Sequence, residues 1–261
     1  MALAIMAATK NKWPSMPALL YLHGFNSSPE SAKAQQTQQW FAENAAEIEF
    51  ICPQLPPYAD RAMALLSEIV EARLPEPVFV IGSSMGGFYA TCLIERYSRC
   101  ALGSLSALGS LSALGSSPAL GGLSALGSLS ALGSSPALGS SPALGSLSAV
   151  LINPAVSPAR GLHQWLGENS NYHSGEKWLF EPQHIDEFDR WDPTAIKNKK
   201  NYLVLLQSGD EVLDYRDAQQ RYQGCKIILE SGGDHSFIDY HRHLETIHQF
   251  LVSTFPCNQP I

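Results

Sequence analysis

The chain has 261 residues, 45% of them hydrophobic, enough apolar side chain for one large α/β domain. Lys and Arg number 17 against 24 Asp and Glu, a formal net charge of −7, which argues against nucleic-acid partners and against electrostatic docking on anionic membranes. No apolar run approaches the ~20 residues needed to span a bilayer. Five Cys, an odd number with no CxxC pair, point away from disulfide frameworks and zinc ribbons and towards a reducing cytosol.

In chain order, the apolar stretch Met1–Ala8 precedes Lys10 and Lys12, the reverse of a secretory signal. Residues 1–17 therefore read as an unstructured leader, and 18–261 as a single domain. A first strand is expected at Leu19–His23. Ser28-Pro29-Glu30 reads as an N-cap with Pro at the first helical position, opening a helix to about Asn44. A strand follows at Glu49–Pro53, then a helix over Ala59–Arg73. The next strand, Val78–Ser83, leads into a helix that starts at the Gly86-Gly87 turn and runs to about Ser98.

Residues 101–148 are eight tandem hexamers of the type ALGSLS or ALGSSP, with no charged and no aromatic residue. Two readings compete. One is a Gly/Ser-rich insertion that cannot bury enough surface to order itself. The other makes each unit a β-helix turn. Three units place Pro where an inward-facing small residue belongs, and the near-identity of the copies reads as recent duplication, so the disordered insertion is favoured.

Beyond the repeat, strands are expected at Ala149–Asn153, Tyr202–Gln207 and Lys226–Glu230. Helices are expected at Tyr215–Tyr222 and from about Asp239 to Phe255, the last with Leu244, Ile247 and Leu251 on one face. Short, continuous apolar strands separated by helices describe a mostly parallel six-stranded sheet covered on both faces. Residues 157–194, with Trp165, Trp178 and Trp191, break the alternation and read as a small helical lid over the carboxyl edge, where ligands of such sheets bind.

The strongest chemical signal is Gly82-Ser83-Ser84-Met85-Gly86, a G-x-S-x-G between a strand and a helix. The sharp turn exposes the Ser84 hydroxyl, and Gly82 and Gly86 let the chain bend without clashes. A serine nucleophile needs a base and an orienting carboxylate, in the chain order Ser, acid, His on this type of sheet. Asp210, after Gly209 at the end of a strand, is the favoured acid, with Asp214 its rival. His235, after Gly232-Gly233, is the base. Glu211 and Asp234 read as solvated loop charges, and His241, His243 and His248 as surface residues of the last helix. His163, His173 and His184 belong to the lid, without metal-ligand spacing, so no metal and no cofactor is expected. The oxyanion donors should be the backbone N–H groups of Met85 and Phe25, the latter in the loop opened by His23-Gly24. His23 itself could simply brace that loop.

Leu20-Tyr-Leu-His-Gly-Phe-Asn-Ser-Ser-Pro29 with Lys33 resembles the opening of the YqiA-type esterases. Five further motifs are similar to that family in the same order: Pro53-Gln-Leu-Pro-Pro-Tyr58, Gly82-Ser-Ser-Met-Gly-Gly87, Asn153-Pro-Ala-Val156, Gly209-Asp-Glu-Val-Leu-Asp-Tyr-Arg216 and Gly232-Gly-Asp-His-Ser-Phe237. The resemblance implies an α/β-hydrolase fold, esterase activity that can extend to acyl-CoA thioesters, and Ser84, Asp210 and His235 as the triad. The leader and the repeat depart from it. The expected substrate is a small-molecule ester or thioester. An acyltransferase, a carbon–carbon bond hydrolase or a catalytically silent binding protein on the same frame are the alternatives.

Overall fold

Among the described residues six parallel strands form the central sheet, in the spatial order Glu49–Ile51, Ala18–Leu22, Val78–Ser83, Leu147–Ile152, Tyr202–Gln207 and Lys226–Glu230. The computed structural model describes residues 16–97, 147–171 and 175–255. The strands are β1 (Ala18–Leu22), β2 (Glu49–Ile51), β3 (Val78–Ser83), β4 (Leu147–Ile152), β7 (Tyr202–Gln207) and β8 (Lys226–Glu230). A separate antiparallel hairpin joins β5 (Gly167–Ser170) to β6 (Lys177–Phe180). The helices are α1 (Ala32–Asn44), α2 (Ala59–Glu71), α3 (Met85–Tyr97), α4 (Pro182–Trp191), α5 (Tyr215–Arg221) and α6 (Leu244–Ser253).

Strand alternation divides the core. Leu20, Leu22, Val80, Leu151, Val204 and Leu206 point to one face, where α2 lays down Ala62, Met63, Leu66 and Val70 at helical spacing beside the largely buried α3. Leu19, Tyr21, Ile81, Val150, Leu203 and Leu205 point to the other, against Ala34 and Phe41 of α1 and Leu244, Ile247 and Leu251 of α6. Burying each such side chain stabilises the fold by about 1.5–3 kcal/mol.

From β1 the chain passes to β2 on one side and from β3 to β4 on the other. The loops after β1 and β3 therefore part company at the carboxyl ends of two paired strands, and they open the crevice in which ligands of such sheets bind.

Several expected boundaries move. Helix α1 begins at Ala32: the Ser28 carbonyl accepts from the Ser31 N–H and its Oγ from the Glu30 N–H, both at 3.1 Å, which closes a separate turn ahead of the helix. Helix α3 begins at Met85, directly after Ser84. Strand β4 starts at Leu147, which pairs with Val78, so Leu147 and Ser148 belong to the sheet as well as to the last hexamer. The segment after β4 is not simply helical: a 3-10 helix at Pro158–Trp165 is followed by the β5–β6 hairpin and then α4. The last helix is likewise split into a 3-10 turn, Tyr240–His243, and α6. The expectations for residues 1–15 of the leader, 101–146 of the repeat, and His173 lie outside the described residues.

The point of attachment of the repeat carries a prediction. Tyr97 ends the helix that leads away from Ser84, and Leu147 pairs with the first residue of β3. Both attachment points lie at the amino edge, about 20 Å from Ser84 at ~3.3 Å per strand residue. Deleting residues 101–142 keeps the hexamer 143–148 that feeds β4. It should leave any turnover that depends on Ser84 within about threefold, under about 1 kcal/mol of barrier. A much larger loss in a folded, monodisperse variant would show that the repeat acts on the site.

Candidate active site

Ser84 stands on the turn between β3 and α3 with φ of +54°, a strained backbone for a non-glycine residue. Backbone bonds hold it there: its N–H donates to Ile152 O at 2.9 Å, and its carbonyl accepts from Gly87 and Ala155 at 2.9 and 3.0 Å. The neighbouring glycines are a matter of space. A Cβ on Gly86 would overlap the Leu22 carbonyl, and one on Gly82 would overlap the Gly86 carbonyl. Gly24 is different: a Cβ there would meet Ser84 Cβ at 3.5 Å, an ordinary contact.

His235 Nε2 lies 3.0 Å from Ser84 Oγ, and Nδ1 lies 2.9 and 3.0 Å from the two carboxylate oxygens of Asp210. The Asp210 side chain is 2% exposed. Burial pushes its pKa up, but hydrogen bonds from His235 and the Leu213 N–H, the charge of His235 and the Val212 N–H outweigh it and hold the carboxyl below its ordinary value. The rival Asp214 is elsewhere, capping α5 by accepting from the Arg216 N–H at 2.9 Å.

Two polar residues that end apolar strands position the His235 loop; sequence reasoning quoted Asn153 only as part of a family motif and gave neither residue a role. Buried Asn153, after β4, donates to Asp234 O at 3.0 Å and accepts from the Gln207 N–H at 3.0 Å. Buried Gln207, closing β7, accepts from the N–H groups of Asp234 and Ile238 at 3.1 and 2.9 Å. The available signal was an Asn and a Gln at the ends of otherwise apolar runs, since a buried amide has to be hydrogen-bonded. Glu211 is exposed, yet it accepts from the His235 N–H at 3.0 Å and so is more than a solvated charge. Asp234 is half-buried, and its Oδ1 has no hydrogen-bond partner among the described residues. Close by, Lys33 Nζ donates to Ser236 O at 2.8 Å. Burial lowers its pKa, against the opposing charges of Asp234 and Asp210.

The remaining histidines take structural places. Buried His23 accepts from the Leu55 N–H through Nε2 at 3.0 Å, which leaves Nδ1–H to donate to Gly24 O at 2.8 Å. It is neutral by that assignment and ties the β1 loop to the chain after β2. His184 caps α4 by accepting from the Glu181 N–H at 2.9 Å. His243 is not on the surface: it bonds Glu230 at 3.0 Å and meets the Phe237 ring edge-on. His163 and His241 are exposed and His248 is half-buried. Among the described residues no three His, Cys, Asp or Glu side chains group as metal ligands, and no helix is long and apolar enough to cross a membrane.

Phe25 and Met85 line the same chamber as Ser84, and neither N–H is among the loop and turn donors to another described backbone group. Ser84 and His235 open onto a chamber of about 720 Å³ walled by Val156, Leu162, Trp165 and Leu213. The excursion after β4 covers it. Phe25 meets Trp165 and Trp178 edge-on at 5.2 and 5.5 Å, and Asn26 donates to Ser170 O at 2.9 Å. A hydroxyl bonded to an imidazole, itself bonded to a buried carboxylate, can lose its proton to nitrogen as it attacks an electrophilic carbon.

Solved structures share this frame at low identity. A protein of Agrobacterium vitis S4 is 16% identical with a TM-score of 0.60, over 92% of this chain and 88% of that one. Est1E from Butyrivibrio proteoclasticus, solved with ferulic acid bound, is 13% identical with a TM-score of 0.56, over 92% and 90%. Mouse alpha/beta hydrolase domain-containing protein 10 is 12% identical with a TM-score of 0.53, over 90% and 87%. These likenesses establish the α/β-hydrolase fold. The model of the Uncharacterised protein family (UPF0227) matches residues 18–102 and 137–252, well over half of the chain. The chain belongs to that family, the YqiA-type group that its motifs resemble.

Proposed function

We propose that the protein is a serine esterase that hydrolyses carboxylic esters or acyl thioesters through an acyl-enzyme. The observation that carries this reading is the 3.0 Å contact of Ser84 Oγ with His235 Nε2, backed by Asp210 on Nδ1. His235 Nε2 takes the Ser84 proton while Oγ bonds to the carbonyl carbon. The carbonyl oxygen gains the electron pair and meets the Phe25 and Met85 N–H groups, each such donor commonly worth about 3–4 kcal/mol of barrier. Collapse breaks the bond to the alcohol or thiol, which leaves with the proton from Nε2. Water then repeats the cycle on the acyl-serine and releases the carboxylic acid. Asp210 keeps the proton of the resting imidazole on Nδ1 and stabilises the imidazolium. One solved structure of Est1E has ferulic acid bound. A small-molecule substrate is the matching proposal for this chain, whose net charge of −7 disfavours nucleic acid.

A fluorophosphonate probe should label the protein at Ser84, and a panel of p-nitrophenyl esters and acyl-CoA thioesters should be hydrolysed. Labelling without hydrolysis, but with acyl transfer to an added alcohol, would make it an acyltransferase. Neither labelling nor turnover would leave a binding protein.

The pH dependence follows from the base. His235 must be neutral to accept the proton, and Asp210 is ionised well below neutrality because its carboxyl is held low. Hence kcat/KM should rise with pH to a plateau as the fraction of enzyme with a neutral base grows. A flat profile under conditions where chemistry limits the rate would remove His235 from the role.

A further inference from the structure

Beside the chamber that holds Ser84 and His235 lies a second one of about 570 Å³. The two share Gly24, Phe25 and Met85, so the oxyanion residues form the partition between them. Leu55 and Tyr58, from the chain between β2 and α2, and Trp178 and Leu179 of β6 supply apolar walls. Two residues of this lining, Asn26 and Tyr89, each carry one polar atom that has no hydrogen-bond partner among the described residues. Tyr89 is 2% exposed and Asn26 8% exposed, and the atoms are the Tyr89 hydroxyl oxygen and Asn26 Oδ1, both buried. The orientation of Asn26 is fixed by chemistry. Ser170 O can only accept, so the amide nitrogen faces it and Oδ1 is left over.

We propose that this second chamber is the acyl subsite, and that Asn26 and Tyr89 there recognise an acyl group that carries a hydroxyl. The assignment rests on the esterase reading, because the position of the base then sorts the two halves of the substrate. The leaving oxygen or sulfur must collect its proton from His235, and His235 lines only the larger chamber. The leaving group therefore belongs there, and the acyl arm of the carbonyl carbon points away from His235 towards the second chamber. A hydroxyl is the group that suits either atom, since it can donate to Asn26 Oδ1 or accept from the Tyr89 phenol. Burial drives the Tyr89 pKa far up, so the phenol keeps its proton to donate. A carboxylate would set its lone pairs against those of Asn26 Oδ1. An ammonium could not accept from the Tyr89 phenol, and in the same lining it would meet two cationic side chains, Arg61 and Lys177, against one carboxylate, Glu176. Leaving out the partner strands a buried polar atom, which is how a site rejects the analogue that lacks the hydroxyl.

The test uses two matched pairs of p-nitrophenyl esters with one leaving group: hexanoate against ω-hydroxyhexanoate, and phenylpropanoate against para-hydroxyphenylpropanoate. In at least one pair the hydroxylated ester should have a kcat/KM at least about tenfold higher, a gap within reach of a hydrogen-bonding site. Tyr89→Phe should bring that ratio to within about twofold. The same substitution should not lower Tm, because the oxygen it removes has no partner in the unliganded fold. Binding of the free hydroxy acid to the Ser84→Ala protein, measured by calorimetry, should weaken by a similar factor in Ser84→Ala/Tyr89→Phe. Equal rates within both pairs, or a preference that survives Tyr89→Phe, would overturn the subsite while the turnover of the plain esters upholds the esterase reading. Failure of fluorophosphonate labelling and of all four esters would overturn the esterase reading and the subsite with it.

Discussion

Replacing Ser84 with Ala is expected to lower kcat for any ester by about 10⁴-fold or more, the scale seen when a nucleophile that works as one unit with its base is removed. The fold should survive. The three hydrogen bonds that hold the turn, to Ile152, Gly87 and Ala155, are made by the backbone of residue 84 and are indifferent to its side chain. Its Oγ bonds His235 Nε2, and that ring is 23% exposed, so water can replace the lost bond. A net stability change under about 1 kcal/mol follows. The alanine inherits the φ of +54°, which neither Ser nor Ala prefers, so the strain cancels between the two proteins. Circular dichroism and the melting curve should therefore overlay those of the wild type while ester turnover and fluorophosphonate labelling vanish together. Undiminished turnover in a sequence-verified preparation would remove the acyl-enzyme mechanism altogether.

The parts of this molecule that were legible in the sequence are those decided locally. Strands β3, β7 and β8 fall at Val78–Ser83, Tyr202–Gln207 and Lys226–Glu230 as expected, because each is a continuous apolar or β-branched run closed by a turn residue. Ser84 was visible because G-x-S-x-G at a strand–helix junction is itself a local geometry, and the structure brings His235 and Asp210 to it in the expected chain order. What failed was decided at a distance. The start of β4 is set by pairing with β3, and by pattern alone Leu147 and Ser148 belong to the hexamer array. Ser28-Pro29-Glu30 has every mark of a helix start, but its Ser28–Ser31 backbone bond closes a separate turn and the helix waits until Ala32. The β5–β6 hairpin rests on pairing between Gly167–Ser170 and Lys177–Phe180, in which polar residues such as Glu168 and Asn169 give no strong strand signal. Asn153 and Gln207 escape for the same reason: each acts on a loop some 25 or more residues away, which no local pattern reveals.

Asp210→Asn is expected to reduce kcat by about 10³–10⁴-fold, and the hydrogen bonds around the carboxylate give the reason. Oδ1 already accepts from the N–H groups of Val212 and Leu213 at 2.9 and 2.8 Å. An asparagine must leave its carbonyl oxygen there, because an amide nitrogen cannot accept those two donors. Its NH₂ then faces His235 Nδ1 and donates to it, which moves the imidazole proton to Nε2. The ring would present N–H, not a lone pair, to Ser84 Oγ and could not take its proton. The imidazolium would also lose its counter-charge in a site where the carboxylate is 2% exposed. Asp214→Asn has no such route. Its oxygen can go on accepting from the Arg216 N–H at the start of α5, and the ion pair it gives up with Arg216 has both side chains at least half exposed, a pair worth under about 1 kcal/mol. Turnover there should stay within about twofold of wild type. Stability gives a second readout with a definite sign. Because the Asp210 carboxyl is held below its ordinary value, the stability it adds is complete above about pH 3.9, the unfolded value, and disappears as pH falls through the lower folded one. Asp210→Asn should remove that part of the acid dependence, so wild-type and variant melting temperatures approach each other on acidification, whereas Asp214→Asn should track the wild type. The reverse ranking in kcat, measured on one ester with both variants folded, would transfer the orienting role to Asp214.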